Sequence, residues 1–163
     1  MIALVQRVQR AEVRVDEKLL SQINSGICIF VGICDTDSDE DTTYLINRIT
    51  SLKWFKDGVG KFVHNLKNYQ ATTSGEVPEI LVVSQFTLYA DLKKGTKPSF
   101  TRAMEPTSAN KMYEDFCNKL ATLGYTVNRG KFGAYMAVEL INDGPATFIL
   151  SSDHLQHHDR NKI

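Results

Sequence analysis

The sequence lacks what a membrane or secreted protein needs. No apolar run approaches the ~20 residues that span a bilayer. The opening Met1-Ile2-Ala3-Leu4-Val5 meets Gln6 and Arg7 too soon to serve as a secretory hydrophobic segment. Net charge is missing as well, since 19 Lys and Arg balance 19 Asp and Glu. A protein that coats nucleic acid non-specifically is basic overall, so zero net charge counts against that class without excluding a local basic patch. Cysteine is scarce: Cys28, Cys34 and Cys117 show no C-x-x-C spacing. Two of them sit in or beside apolar runs and behave as small hydrophobes, which makes a catalytic thiol at Cys28 or Cys34 the weaker reading. An odd count without a signal peptide fits a reducing compartment, so the expected location is cytoplasmic. Histidine is nearly absent from the body of the chain: outside the C-terminal His154, His157 and His158 there is only His64. The nucleophile elbow, phosphate loop, dinucleotide fingerprint, H-E-x-x-H and zinc spacings are all absent, so no metal and no cofactor are expected.

What remains suits a soluble globular protein. A chain of 163 residues with 42% apolar content can bury one proper core. Ile2, Leu4, Ala11, Val13 and Val15 alternate with polar residues, but the phase changes between Val5 and Val8, which predicts two strands or one bent strand with a bulge. Arg7 falls at that bend, where an arginine is more often solvated than a ligand. The run 26–33, GICIFVGI, reads as a strand buried on both faces. Ser38 with Asp41 three residues on predicts a capped helix start, followed by an apolar stripe of Leu45, Ile46, Ile49 and Leu52. Trp54 is expected in the core, and Asp57-Gly58 signals a hairpin. Residues 62–78 read as a loop because Asn, Thr, Ser, Gly and Pro interrupt any period. Pro106 opens a second helix whose stripe, Met112, Phe116, Leu120 and Leu123, ends at Gly124. Residues 125–128 and 135–141 read as strands, 142–145 as a turn, and 147–150 as a last strand. The expectation is a single α/β domain over 1–150 with a mixed sheet and two main helices, followed by a flexible tail at 151–163.

Two stretches carry polar groups that folding does not call for. The first is 81–91, LVVSQFTLYAD. Read as one continuous strand, it places Ser84, Phe86 and Leu88 on one face and Val83, Gln85 and Thr87 on the other. An amide, a hydroxyl and exposed backbone then meet at the end of a core strand. Alone, this is a strand simply leaving the core. The second is Asn142-Asp143-Gly144-Pro145, most commonly an ordinary hairpin turn. Between them, Lys93, Lys94, Lys97 and Arg102 surround Gly95 and Pro98 with Phe100 interleaved, in a loop that is either solvated or suited to a phosphate backbone. Ser84 and Thr87 are candidate nucleophiles, but the motif supplies no base. Such a site suits an easy reaction catalysed by positioning and by main-chain donors to an oxyanion.

Ser84–Leu88 (SQFTL) and Asn142–Pro145 (NDGP) in this order, separated by a helix, resemble the D-aminoacyl-tRNA deacylase family. The likeness runs to about Leu150 and includes Val5-Gln6-Arg7-Val8, Gly60-Lys61, Lys97-Pro98-Ser99-Phe100 and Gly130-Lys131-Phe132 with Gly133 to Met136. The chain departs from the family pattern at Ala146, at Phe62-Val63, in a longer loop at 71–78 and in the tail. The resemblance implies a homodimer with its sites at the subunit interface. It implies hydrolysis of the activated ester between tRNA and a D-amino acid, and of glycyl-tRNA mischarged on tRNA(Ala), as chiral proofreading in translation. It places the catalytic pocket at Ser84, Gln85, Phe86 and Thr87, lined by Ala103, Phe132 and Met136. Either Thr87 acts as nucleophile, or the Phe86 N–H serves the oxyanion while the terminal 2′-hydroxyl of the tRNA assists. Gly144 and Pro145, joined by a cis peptide and held by Arg7, would enter the partner's pocket and reject L-residues. No metal is implied. Physical chemistry allows that role, because Gly presents bare backbone and X–Pro is the bond at which cis costs only ~0.5–1 kcal/mol. Two alternatives are a nucleic-acid-binding protein without hydrolysis, using the basic loop, and a small-molecule hydrolase with Thr87 or Ser84 activated by His64.

Overall fold

In the computed structural model, which describes residues 1–72, 77–93 and 95–153, the spine is a single bent 14-residue strand, β1 (Ile2–Val15). The turn Asp16-Glu17, both at positive φ, returns the chain as β2 (Lys18–Ile23), and β3 follows at Gly26–Gly32. Then come α1 (Asp39–Ser51), a small hairpin of β4 (Phe55–Lys56) and β5 (Phe62–His64), and α2 (Leu66–Thr72). β6 (Glu79–Ser84) leads into a 3-10 turn at Phe86–Tyr89, and α3 (Pro106–Thr122), β7 (Val127–Arg129) and β8 (Ala137–Ser151) complete the order. The first half of β1 pairs antiparallel with β3, the second half with β2, and nearly all of it with β8 on its other edge. β3–β6 and β6–β7 are parallel, so the sheet is mixed as expected.

The alternation of β3 and β6 sorts their side chains into two cores. Ile27, Ile29, Val31, Ile80 and Val82 join Leu45, Ile49, Trp54, Phe116 and Leu120 beneath the helices. Cys28, Leu81 and Val83 face the other way, against Val8, Val13 and Ile23 of the curled outer half of the sheet. That is why 26–32 reads as a continuous apolar run: both faces are covered, and each fully buried aliphatic side chain contributes roughly 1.5–3 kcal/mol. Ser38 and Asp41 form the expected capping box on α1. On α3 the cap is Glu105, whose carboxylate accepts the N–H groups of Thr107 and Ser108 at 2.9 and 3.1 Å.

Two expectations are corrected. The stretch 62–78 is not all loop: it holds β5 and α2, because Asn65 accepts the Asn68 N–H at 2.8 Å and buried Leu66 anchors the first turn. The segment 142–145 is not a hairpin turn between two strands; it lies inside the continuous strand β8. At the C-terminal end, β8 runs to Ser151 and buried Ser152 donates its N–H to Met1 O at 3.0 Å. The expected tail from His154 onward, including His157 and His158, lies outside the described residues, as do 73–76 of the loop at 71–78. No helix among the described residues is long and apolar enough to cross a membrane.

Candidate active site

β3 and β6 are adjacent and parallel, and their C-terminal ends open into a cavity of about 700 Å³. Ligands in parallel α/β sheets gather at such strand ends. Six of the residues singled out from the sequence surround it: Ser84, Gln85, Phe86, Ala103, Phe132 and Met136.

The strand does not continue through the motif. β6 stops at Ser84, and 86–89 turns into a 3-10 helix, so the predicted alternation of faces fails beyond Ser84. Gln85 N–H still reaches Val31 O at 2.8 Å, but its φ of −145° and ψ of 82° turn the chain over β3. Gly32 permits this, since a Cβ there would lie 3.0 Å from Leu88 Cβ and 3.1 Å from Gln85 O. The first N–H groups of a helical turn have no partner within it. Accordingly, the Phe86 N–H finds no acceptor among the described residues, and Phe86 is one of the residues lining the cavity. Thr87 is not among the residues surrounding the cavity; its Oγ1 accepts the Gln85 side-chain amide.

Two loops complete the walls. In 91–104, Phe100 packs edge-on against Phe86 with centroids 4.9 Å apart. Met104 N–H bonds Ile33 O at 3.0 Å, and Arg102 lies over the Tyr89 ring at 5.3 Å, so the end of this loop is pinned to the exit of β3. Lys93 and Lys97 stand exposed on it, and Lys94 lies outside the described residues. The segment 130–136 makes a tight turn closed by Ala134 N–H on Lys131 O, with Gly133 at φ +72°. Gly130 N–H bonds Val82 O at 2.8 Å, and a Cβ on Gly130 would fall 2.7 Å from Met136 Sδ. Beneath both elements, the Tyr113 hydroxyl of α3 donates to Val82 O at 2.8 Å with Gly130 O 3.3 Å away.

The cavity wall has one carboxylate, Glu105, and hydrogen bonds from Thr107 and Ser108 hold its carboxyl below the ordinary range, which makes it a poor base. His64 is not in the wall and packs near Tyr69. Burial pushes the Cys28 and Cys117 thiols up to about 12, so neither supplies a thiolate near neutrality.

Arg7, Gly144 and Pro145 form a second cluster, separate from the residues of this cavity. Between the pairs Gln6↔Thr147 and Val8↔Asn142, β1 has only Arg7 while β8 has Asp143, Gly144, Pro145 and Ala146. The surplus bulges outward, leaving Gly144 and Pro145 exposed with a cis peptide between them. Arg7 is buried, contrary to the solvated reading. It donates to Trp54 O and, at 3.4 Å, to Gly144 O. Its Nε lies 2.7 Å from Asp143 Oδ2, an ion pair by distance without hydrogen-bond alignment. On the other flank, Asn142 Nδ2 ties Arg7 O at 2.8 Å to Ala146 O at 3.3 Å.

Residues 4–151 match the model of the D-Tyr-tRNA(Tyr) deacylase family. The chain belongs to that family. A D-aminoacyl-tRNA deacylase of Thermodesulfovibrio yellowstonii is 44% identical over 93% of this chain and 99% of the relative. One of Clostridioides difficile is 43% identical over 93% and 97%. The solved structure of a c-Myc DNA Unwinding Element Binding Protein superposes with a TM-score of 0.83 at 39% identity, covering 93% of this chain and 99% of that one. Phe100, Glu105, Tyr135 and Val138 are among the wall residues to which the sequence reading gave no site role. Val138 shares a face with Met136, which alternation signals; Tyr135 carries no such signal.

Proposed function

We propose that this chain hydrolyses the ester of D-aminoacyl-tRNA, and of glycyl-tRNA, and rejects L-aminoacyl esters. The observation that carries this reading is the pairing of a roomy cavity, lined by Phe86 whose N–H has no acceptor among the described residues, with an exposed Gly144-Pro145 bulge that its own cavity does not use. In a homodimer the bulge of one subunit enters the cavity of the other. Its carbonyls fence one side of the substrate α-carbon, so an L side chain collides with rigid backbone while a D side chain or a hydrogen passes. The Phe86 N–H stabilises the oxyanion. Attack is by water, aided by the neighbouring 2′-hydroxyl of the terminal ribose, because among the described wall residues the only carboxylate is Glu105, whose hydrogen bonds make it a poor base for a protein nucleophile. Ester loss from D-aminoacyl-tRNA incubated with the purified protein tests this; binding without ester loss would favour the second reading, a nucleic-acid-binding protein, which the name of the c-Myc element-binding relative supports.

Two further expectations follow from the chemistry. Thr87→Ala retains substantial activity, since Thr87 is outside the cavity wall and its oxygen already accepts from Gln85. Loss of several orders of magnitude in single-turnover rate, with tRNA binding intact, would restore Thr87 as nucleophile. Replacing exposed Lys93 and Lys97 by alanine weakens tRNA binding and lowers the slope of log K against log salt by ~1 for each phosphate contact removed. An unchanged slope would mean that the loop is only solvated.

A further inference from the structure

Tyr135 is 99% exposed, although it belongs to a wall of the catalytic cavity. A ring in that state contributes almost nothing to folding. It also borders a second, open cavity of about 460 Å³, which shares Tyr135 and Met136 with the first and is otherwise lined by Ala137, Arg14 and the Asp16-Glu17 turn. We infer that this second cavity is the subsite for the penultimate nucleotide of the substrate, a cytidine in every tRNA, with Tyr135 as the stacking platform for its base.

The inference rests on the deacylase reading, which fixes the terminal nucleotide at the first cavity. The wall shared by the two cavities, Tyr135 with Met136, offers the strand of RNA a route from the first into the second. Stacking on an aromatic face suits any base. Cytosine adds an N4 amine, a donor that carboxylates accept, and Asp16 and Glu17 border the cavity. Arg14 beside them is suited to the backbone phosphate. It is positioned by its Nε contact with Glu12 at 2.7 Å and by Nη1 near Glu17 O at 3.4 Å.

The test compares D-aminoacyl-tRNA with the D-aminoacyl ester of adenosine, which has no upstream nucleotide, in the wild type, Tyr135→Ala and Tyr135→Phe. For Tyr135→Ala, KM for the tRNA should rise by roughly 5- to 100-fold more than KM for the adenosine ester, with the loss in KM rather than kcat. Tyr135→Phe keeps the ring and should restore the wild-type ratio. Equal losses on both substrates, or no loss on the tRNA, would overturn the inference. Conversion of the Tyr135→Ala protein to monomers with equal losses would also overturn it, assigning the ring to a second copy of the chain. A wild type that leaves both esters intact would remove the deacylase reading itself, a result distinct from either.

Discussion

Replacing Gly144 with alanine is expected to cut D-aminoacyl-tRNA hydrolysis by about 100-fold, the cost that a displacement of about 1 Å at a reacting centre can carry, with no change in thermal unfolding. A Cβ built on Gly144 meets nothing within 4 Å of its own chain. The fold therefore has room for a methyl group, and glycine is not required by packing within the subunit. If the bulge enters a neighbour's pocket, the methyl group arrives where the substrate α-carbon must sit. Steady-state deacylation and a circular-dichroism melt, measured on the same preparation, separate the two effects. Full activity would remove Gly144 from the site, and lost activity with a lowered melting temperature would place the defect in the fold. Mixed dimers sharpen the test. A Gly144→Ala subunit keeps an intact pocket, and an Ala103→Trp subunit keeps an intact bulge. Each homodimer should be inactive, while co-expression should restore one site.

Arg7→Lys is expected to lower activity more than tenfold and to destabilise the chain by about 1–3 kcal/mol, the cost of leaving buried acceptors unsatisfied. The guanidinium addresses Trp54 O, Gly144 O and Asp143 in three directions at once. It also lies 5.2 Å from the centre of the Phe62 ring. A lysine ammonium keeps the charge but is a compact point donor that cannot span those partners. Denaturant unfolding reads the stability term. Activity measured well below the transition reads the positional term, because the folded fraction there is close to complete. A lysine variant that is stable but slow would assign Arg7 to holding the bulge. A variant unchanged in both would show that the buried network is dispensable.

These two residues mark where the sequence stopped being legible. The cores were readable because burial on both faces of β3 and β6, and on one face of α1 and α3, leaves a period in the local pattern. The bend in β1 was also readable, since a bulge shifts the phase of alternation; the pairing shifts on either side of Val8 sit close to the expected place. The bulge in β8 was not. Asn-Asp-Gly-Pro has the composition of a turn, and what keeps it in the strand is Arg7 and Asn142 acting across more than a hundred residues. The 3-10 turn was missed for a similar reason: SQFTL alternates like a strand, and the chain turns only because Gly32, on the neighbouring strand, leaves space for it. The helix α2 was hidden by polar residues that are breakers in a loop but caps at a helix start, as Asn65 is. Ser84, Gln85 and Phe86 of the first motif line the cavity and Thr87 does not, whereas Glu105 and Tyr135 enter the wall through loop paths that no periodicity encodes.

Chiral selection without side-chain recognition is read from the relative single-turnover rates of the wild-type protein on D-, L- and glycyl-tRNA carrying the same tRNA body. Two rigid carbonyls at the α-carbon predict rapid loss of the D ester for small and large side chains alike, measurable hydrolysis of the glycyl ester, and no loss of the L ester above the uncatalysed background. Hydrolysis of the L ester at the D rate would show that the Gly144-Pro145 carbonyls do not exclude L-residues.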